Sequence, residues 1–552
     1  MTTRPLPALT PENVEFWTAG EHGELRIQRC GACGTWRHPP GPICANCAST
    51  DFAFEAVSGT GTVAGVSINH HQWLPDFPPP YVVVIVALDE DPRVRVTSNV
   101  IDCDPGEVSV GSRVQVGFEQ HDDVWLPLFR LVPGAEAGQV PQDEDVRRYV
   151  RPMLTTRKFE DDSAITGIGK SRVGRRLMVD PLALAVEACT SAVADAGLTF
   201  ADIDGLSTYP GSGGHDSGHS EGGITAIEEA LRIRPTWING GMEIPGQSGA
   251  IVAAMLAVSA GLCRHVLCVR TVWESTHAAL AAQARSATGS GSRSTQRVSG
   301  DFAGWRAPFG AMSAANLIGM YASNHFARYG TTREALGWIS TTERAHAALN
   351  PDAIYRDPMT MEDYLSARLV STPFGLYDCD VPCDGSIAVV VSARDAVADL
   401  PSTPVYVDAV GTQICERISW DQGTLTHEPQ VSGPAAHLWT RTSLRREDVD
   451  LALLYDGFTF NCLSWLEALG FCGIGEGAAF VEGGTRISLG GELPLNTHGG
   501  QLSAGRTHGF GFVHEAVTQL RGDAGERQVH DAQVAVVSTG GGTPGGALLL
   551  RR

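Results

Sequence analysis

The stretch DPLALAVEACTSAVADAGLTFADIDGLSTYPG, residues 180–211, decides the fold. Asp180 is a helix N-cap, Pro181 takes the first helical position, and Gly197 stands just past the end. The spacing predicts one helix between them, and ADIDGLSTYPG (201–211) then enters a strand. AITGIGKSRVG (164–174), just upstream, reads as a strand and turn. This order of parts returns later in the chain. VYVDAVGTQI (405–414) echoes the first strand, and EDVDLALLYDGFT (447–459) echoes ADIDGLSTYPG. GAIVAAMLAVSAG and HVLCVRTV, within 249–272, have counterparts in GFVHEAVTQLRG and AQVAVVSTGGG, within 511–542. The first half closes on GSIAVVVSA (385–393) and the second on GGALLLRR (545–552). Two similar α/β halves predict duplicated units packed together, with a site near their shared face.

Upstream the pattern changes. The stretch 133–158 is polar, charged and without periodicity, so a boundary falls there. Before it, GTGTVAGVSI (59–68), YVVVIVALD (81–89), RVRVTSNVI (93–101) and SRVQVGFEQ (112–120) are β-branched runs bounded by Gly, Asp and Pro. Several short strands with no long helix predict a small β-barrel. The expected division is a domain at 1–133, a linker at 134–158, and two halves at 159–400 and 401–552.

Cys30, Cys33, Cys44 and Cys47 form two Cys-x-x-Cys turns on either side of a short Pro-rich tip. Each turn aims two thiolates at one point, and two such knuckles make a closed tetrahedral zinc set. Closed S4 coordination leaves no position for water, so the expected zinc is structural. A redox pair on a helix start fits two pairs this close poorly. His38, read as an exposed loop residue, is not needed as a ligand. The remaining cysteines among the 13 are scattered and read as reduced and mostly buried.

Composition bounds the rest. The 552 residues carry 43% hydrophobic and 19% charged side chains, enough for a sizeable core. A net charge of −21 argues against nucleic-acid binding through phosphates. No window reaches the roughly 18 apolar residues of a membrane span. The start MTTRPLPALTPENVEFW lacks an apolar core behind a basic end, which predicts no secretory signal and a cytoplasmic protein.

The N-terminal helix, four-cysteine ribbon, GTVAGVSI and barrel resemble the zinc-ribbon/OB-fold family encoded beside thiolase-like proteins, over residues 10–133. The barrel lacks the basic, aromatic-interleaved groove of an oligonucleotide binder. PLALAVEACTSAVADAGLTFADIDGL, RYGTTREAL (328–336), DCDVPCDGSIAVVV (378–391), NTHGGQLSAGRTHGFGF (496–512) and STGGG (538–542) together resemble the thiolase superfamily. The resemblance is to sterol-carrier-protein-x type thiolases and their lipid-transfer-protein-like aldolase relatives. It implies a five-layer αβαβα fold, a homodimer through that fold, a coenzyme A thioester substrate and an upstream enoyl-CoA hydratase as partner. In related systems the two parts are separate chains, so their fusion here fixes the stoichiometry.

A thiolase needs a nucleophilic Cys, an activating His and a second, proton-shuttling Cys. The matching stretches hold Gly246, Arg506 and Ser538 instead. A Cys-bound acyl-enzyme therefore has no carrier at this site. The loop that carries Asn or His in thiolases reads Tyr455-Asp456-Gly457-Phe458. By resemblance to the aldolases, which use tyrosine for acid/base work, Tyr455 is the leading catalytic candidate, with His508 or His498 as its proton partner. Those relatives carry a second Tyr where this chain has Arg506, which suits a developing enolate or a substrate carboxylate. Backbone N–H groups of Gly499, Gly500, Gly541 and Gly542 are the candidate oxyanion donors.

Each assignment has a structural alternative. Tyr455 would pack beneath its loop, Arg506 would pair with Asp456 or Glu515, and His498 and His508 would bond backbone. Cys379, Cys383 and Asp384 read as core and turn, and the loop 285–300 as a surface insertion. The expected reaction is retro-aldol cleavage of a β-hydroxyacyl-CoA, of bulky and steroid-like acyl group, into a ketone or aldehyde and a shortened acyl-CoA. Its rivals are acyl transfer or Claisen condensation, and a non-catalytic acyl-CoA scaffold.

Overall fold

The computed structural model describes residues 4–75, 77–209, 218–241, 245–288, 297–299, 303–540 and 544–552. Gly541, Gly542 and most of the 285–300 loop therefore lie outside the described residues.

The N-terminal part holds two small sheets. In the first, Leu25–Cys30 pairs antiparallel with Trp36–Arg37 on one side and Phe52–Val57 on the other. In the second, Thr60–Asn69, Tyr81–Leu88, Arg95–Val100, Val124–Leu131 and Arg113–His121 are neighbours in that order, and Thr60–Asn69 closes the barrel on Arg113–His121. Val82 to Leu88 are buried without alternation, because one face of their strand lines the barrel and the other is covered by the body.

The ribbon and barrel share a continuous seam with the body. The helix Ala314–Tyr329 lies across Thr60–Asn69. Contact is close enough to need glycine on both sides. A Cβ at Gly65 would stand 2.9 Å from the Met320 carbonyl oxygen, and one at Gly319 would stand 2.8 Å from Ser67 Oγ. Asn324 donates to the Ala64 carbonyl at 2.6 Å, and the Ile68 N–H donates to Thr372 Oγ1 at 2.7 Å. The short strand Leu369–Ser371 joins the barrel sheet at Asn69. The expected linker is strapped down as well: Asp143 accepts from the N–H groups of Leu425 and Thr426, each at 2.8 Å.

The body contains the two expected halves. Trp237–Gly240, Gly205–Tyr209, His265–Trp273, Asp384–Ala393 and Ser163–Lys170 form one sheet in that order. Tyr406–Gly411, Gly546–Arg551, Val534–Thr539 and Leu451–Leu453 form the other. Their edges meet where Ile165 and Val405 exchange backbone hydrogen bonds at 2.8 and 3.0 Å. The helix expected after Asp180 runs Pro181–Asp195, its N-cap carboxylate accepting from the Leu182 N–H at 2.9 Å. It covers the outer face of the first sheet, and Ser432–Trp439 covers the second. Gly249–Ser259 packs on the inner face of the first sheet, and Phe510–Arg521 touches strands of both. The layers are αβαβα. Among the described residues no helix is long and apolar enough to cross a membrane.

Candidate active site and metal centre

The four ribbon cysteines converge. Cys30 and Cys47 sulfurs lie 3.6 Å apart, as do those of Cys33 and Cys44, and all four lie within 4.8 Å of one another. This is too far for a disulfide near 2.05 Å and close to the sulfur spacing around a tetrahedral zinc with Zn–S bonds near 2.3 Å. The knuckles are built alike: the N–H of Gly34 returns to the Cys30 carbonyl at 2.8 Å, and that of Ala48 to the Cys44 carbonyl at 2.9 Å. His38 is buried rather than exposed, its ring 4.9 Å from both Phe16 and Trp305. Burial, then the Arg417 charge, push it down to about 3, so it stays a neutral packing residue.

Tyr455 follows the strand Leu451–Leu453 and is held by its backbone. Its N–H donates to Ser538 Oγ at 2.9 Å, and the Leu454 N–H donates to Asn496 Oδ1 at 2.7 Å. Ser538 thus serves the tyrosine from the place a thiolase gives to its second cysteine. The ring folds over Gly457, where a Cβ would stand 2.8 Å from Tyr455 Cε1. Next to it, Asp456 is fully buried and accepts from the N–H groups of Gln501 and Leu502 at 2.8 and 3.3 Å. It faces Glu343, which burial and the Asp456 charge drive well above the ordinary carboxylate range. Burial raises Asp456 as well, and through Asn496 Nδ2, which donates to Glu343 at 2.7 Å, the pair ties the YDGF loop to the NTHGG loop.

This pair accounts for the paired glycines. Gly500 has φ +60°, and a Cβ there would stand 2.0 Å from Asp456 Oδ2 and 2.3 Å from Glu343 Oε2. Gly499 spends its N–H on the Asn496 carbonyl at 2.8 Å. Neither lines the cavity of Tyr455, so the structure does not bring them to it as oxyanion donors.

That cavity measures about 660 Å³ and brings together Tyr455, Arg506 and His508. It adds three groups that sequence reasoning missed: His219, Glu274 and Asp380. His71 and Trp73, from the barrel loop after Thr60–Asn69, form part of its wall. Arg506 binds Glu274 and Asp380, not the Asp456 or Glu515 considered from sequence. His219 Nε2 lies 2.9 Å from Glu274 Oε1, and Arg270 Nη2 approaches His508 Nδ1 at 3.4 Å. His508 has φ +52°, a left-handed conformation that non-glycine residues adopt mostly where surroundings impose it. His219, Glu274 and His508 are close enough to hold a cation, but the Arg506 guanidinium already fills that electrostatic role. The polar floor thus sets the Arg506 guanidinium and the His219 and His508 imidazoles beside the carboxylates of Glu274 and Asp380.

His498 is not brought to this cavity. It lines a separate, smaller one with Lys170, Asp352 and His514. Phe512 stands between, 5.5 Å from the His498 ring and 6.3 Å from that of Tyr455. Burial pushes His498 down to about 4.

The missing nucleophile is also a matter of space. A Cβ at Gly246 would stand 2.3 Å from Thr539 Oγ1, and the residue has φ +56°. A Gly246→Cys variant is expected to lose about 1–3 kcal/mol of stability and to gain no acyl-enzyme. Thermal melting and intact mass after incubation with acetyl-CoA would check both. Cys379 does line the cavity, but burial and the charges of Asp378 and Asp380 push its thiol well up, leaving it a poor nucleophile.

Three family models match: a rubredoxin-like zinc ribbon domain of ChsH2 over residues 17–53, a C-terminal OB-fold domain of ChsH2 over 54–119, and a thiolase C-terminal domain-like family over 416–548. A steroid side-chain-cleaving aldolase of Thermomonospora curvata is 32% identical over 394 residues, covering 70% of this chain and 97% of the relative. A 17-hydroxy-3-oxo-4-pregnene-20-carboxyl-CoA lyase of Mycobacterium tuberculosis is 32% identical, covering 70% of this chain and 98% of the relative. A probable enoyl-CoA hydratase alpha subunit of Thermomonospora curvata is 37% identical over 142 residues, 26% of this chain and 42% of the relative. The solved structure of an Ltp2-ChsH2(DUF35) aldolase superposes with a TM-score of 0.61 at 30% identity, covering 71% of this chain and 98% of that one.

Proposed function

The chain belongs to the thiolase-fold family that contains the steroid side-chain-cleaving aldolases, and on that footing we propose that it cleaves a β-hydroxyacyl-CoA by a retro-aldol reaction. The products are a ketone or aldehyde and a shortened acyl-CoA. The observation that carries this reading is the exchange at the centre: no cysteine has room at position 246, while Tyr455 lines one cavity with Arg506 and His508. A phenol moves protons but carries acyl groups poorly, so the chemistry favoured is carbon–carbon cleavage without a covalent intermediate.

The reaction needs the β-hydroxyl proton removed, the Cα–Cβ bond broken and the resulting thioester enolate held and protonated. Arg506, always charged, and His508 face the cavity where the enolate oxygen would lie. Tyr455 supplies a proton-transfer group. Met312, Ile318, Val370 and Phe458 give the cavity an apolar side suited to a bulky, steroid-derived acyl group. The class of reaction that supplies such a substrate is hydration of an enoyl-CoA. A homodimer would form through the thiolase fold. The edge strand Trp237–Gly240 is its proposed meeting point, where Ile238 is 56% exposed. None of the 13 cysteines is in a disulfide, and the nine outside the zinc set are single thiols, in keeping with the cytoplasmic setting proposed.

The decisive experiment supplies a β-hydroxyacyl-CoA and looks for the paired carbonyl product and shortened acyl-CoA. Acetyl exchange into a β-ketoacyl-CoA without cleavage would instead support acyl transfer, and binding without turnover a scaffold. Trp73→Ala tests the contribution of the barrel loop. It is expected to raise KM for a polycyclic acyl-CoA about tenfold, the loss of roughly 1.4 kcal/mol of contact, with kcat nearly unchanged. Steady-state kinetics on a polycyclic and a short-chain substrate would show the difference.

A further inference from the structure

Two carboxylates share one guanidinium at the cavity floor, and they share it unequally. Arg506 gives Glu274 both Nε and Nη2, at 2.8 and 2.5 Å to one oxygen. It gives Asp380 only Nη1, at 3.1 and 3.3 Å to the two oxygens. His219 adds a further contact to Glu274 at 2.9 Å. Burial raises Glu274, but the His219 hydrogen bond and the charges of Arg506 and His508 outweigh it and hold the group at about 2. Burial pushes Asp380 up to about 7 against the pull of Arg506, and the charges of Glu274 and Asp456 add to the rise. Neighbouring acids driven apart in this way divide their roles: one stays a fixed charge, the other takes and returns a proton near neutral pH.

Asp380 is also tied through its backbone to the loop of Tyr455. Its N–H donates to the Gly457 carbonyl at 3.1 Å, and Cys379 bridges to Phe458. The Tyr455 ring covers the same Gly457, its phenol oxygen 3.1 Å from where a Cβ would stand. Both side chains line the one cavity.

We infer that Asp380 is a proton-transfer residue of the cleavage reaction, working in tandem with Tyr455. The inference rests on the retro-aldol reading. The Asp380 carboxylate takes the β-hydroxyl proton, the C–O bond becomes a carbonyl, and the Cα–Cβ electron pair passes into the thioester enolate opposite Arg506. Tyr455 gives its phenolic proton to Cα, and the phenolate recovers one from the Asp380 carboxyl. The site ends in its starting protonation state, with no other reactant consumed.

A counter-ion serving only to hold Arg506 would occupy the same place, so the test must separate charge from proton transfer. The groups facing Asp380 are Arg506, Glu274, Asp456, Tyr455 and Cys379, with His219 and His508 one contact further. The pH profile of kcat/KM is measured between about pH 5 and 9 for the wild type, Asp380→Asn and Asp380→Glu, together with KM and thermal melting. The wild type is expected to lose activity about tenfold per pH unit below a pKa near 7. Asp380→Asn should lower kcat by about 100-fold or more, flatten that acidic limb and leave KM within about threefold. Asp380→Glu should recover a measurable part of kcat with a displaced limb. An Asn variant that keeps more than about a tenth of kcat, or loses activity with its limb in place, would overturn the assignment. If the Asn variant does not fold, a Glu variant with an unmoved limb does the same. A wild type that cleaves no β-hydroxyacyl-CoA overturns the functional reading and this inference together; an active wild type with an unmoved limb overturns this inference alone.

Discussion

Tyr455→Phe is expected to lower kcat by about 10²–10⁴-fold while leaving the fold and acyl-CoA binding intact. The phenol oxygen is the only atom removed. Tyr455 is placed by its backbone, through the bond to Ser538 Oγ at 2.9 Å, and by the packing of its ring against Phe512 at 6.3 Å. A phenylalanine keeps both. The loss should therefore fall on kcat and not on KM, which marks an interaction made in the transition state. Steady-state kinetics with a β-hydroxyacyl-CoA, beside near-UV circular dichroism, check the two halves of the expectation. Full cleavage by the Phe variant would remove Tyr455 from the chemistry.

Removing the metal should be felt well beyond the ribbon. Metal analysis is expected to find about one zinc per chain, lost when Cys30 and Cys44 are replaced by serine. Structural zinc contributes about 10–16 kcal/mol in isolated ribbon-sized peptides, comparable to the roughly 5–15 kcal/mol that stabilises a whole domain. The ribbon tip is thinly built apart from the metal: Cys33 and Cys47 are exposed and Trp36–Arg37 is a two-residue strand. Behind it, Phe16 and Trp17 pack against Trp305 of the body at 5.1 and 5.0 Å. Loss of zinc should therefore loosen an aromatic cluster that belongs to both parts. A red-shifted tryptophan emission and a lower melting temperature in the double variant are the expected signs. Unchanged emission after complete zinc loss would show that the ribbon stands without metal.

What the sequence disclosed was what is local. Asp180, Pro181 and Gly197 mark a helix through nearest-neighbour backbone chemistry, and the two Cys-x-x-Cys turns carry their geometry in their spacing. Val124–Leu131 escaped notice because Pro127 interrupts it, and a proline speaks against a strand. In the barrel, Pro127 pairs with Phe118, and its carbonyl accepts from Ser98 Oγ at 2.6 Å. Motif comparison reached Tyr455, Arg506 and His508, which share the cavity. His219, Glu274 and Asp380 come from three distant segments and meet only in the folded chain. Glu274 did leave a trace, since it directly follows the strand His265–Trp273, and strand ends are where α/β folds place their chemistry. The glycines at 499 and 500 misled because a glycine reports room, without saying whether a ligand or a neighbouring side chain needs it. Here the neighbours are Ala347 and the Glu343–Asp456 pair.

The barrel loop that brings His71 and Trp73 to the cavity wall has an evolutionary consequence. Selection for a new acyl group can act on a surface loop of the small barrel while Tyr455 and its supports, buried in the body, stay as they are. Joining both parts in one chain makes such changes heritable as a unit. A loop variant and the centre it serves cannot be separated by reassortment between genes.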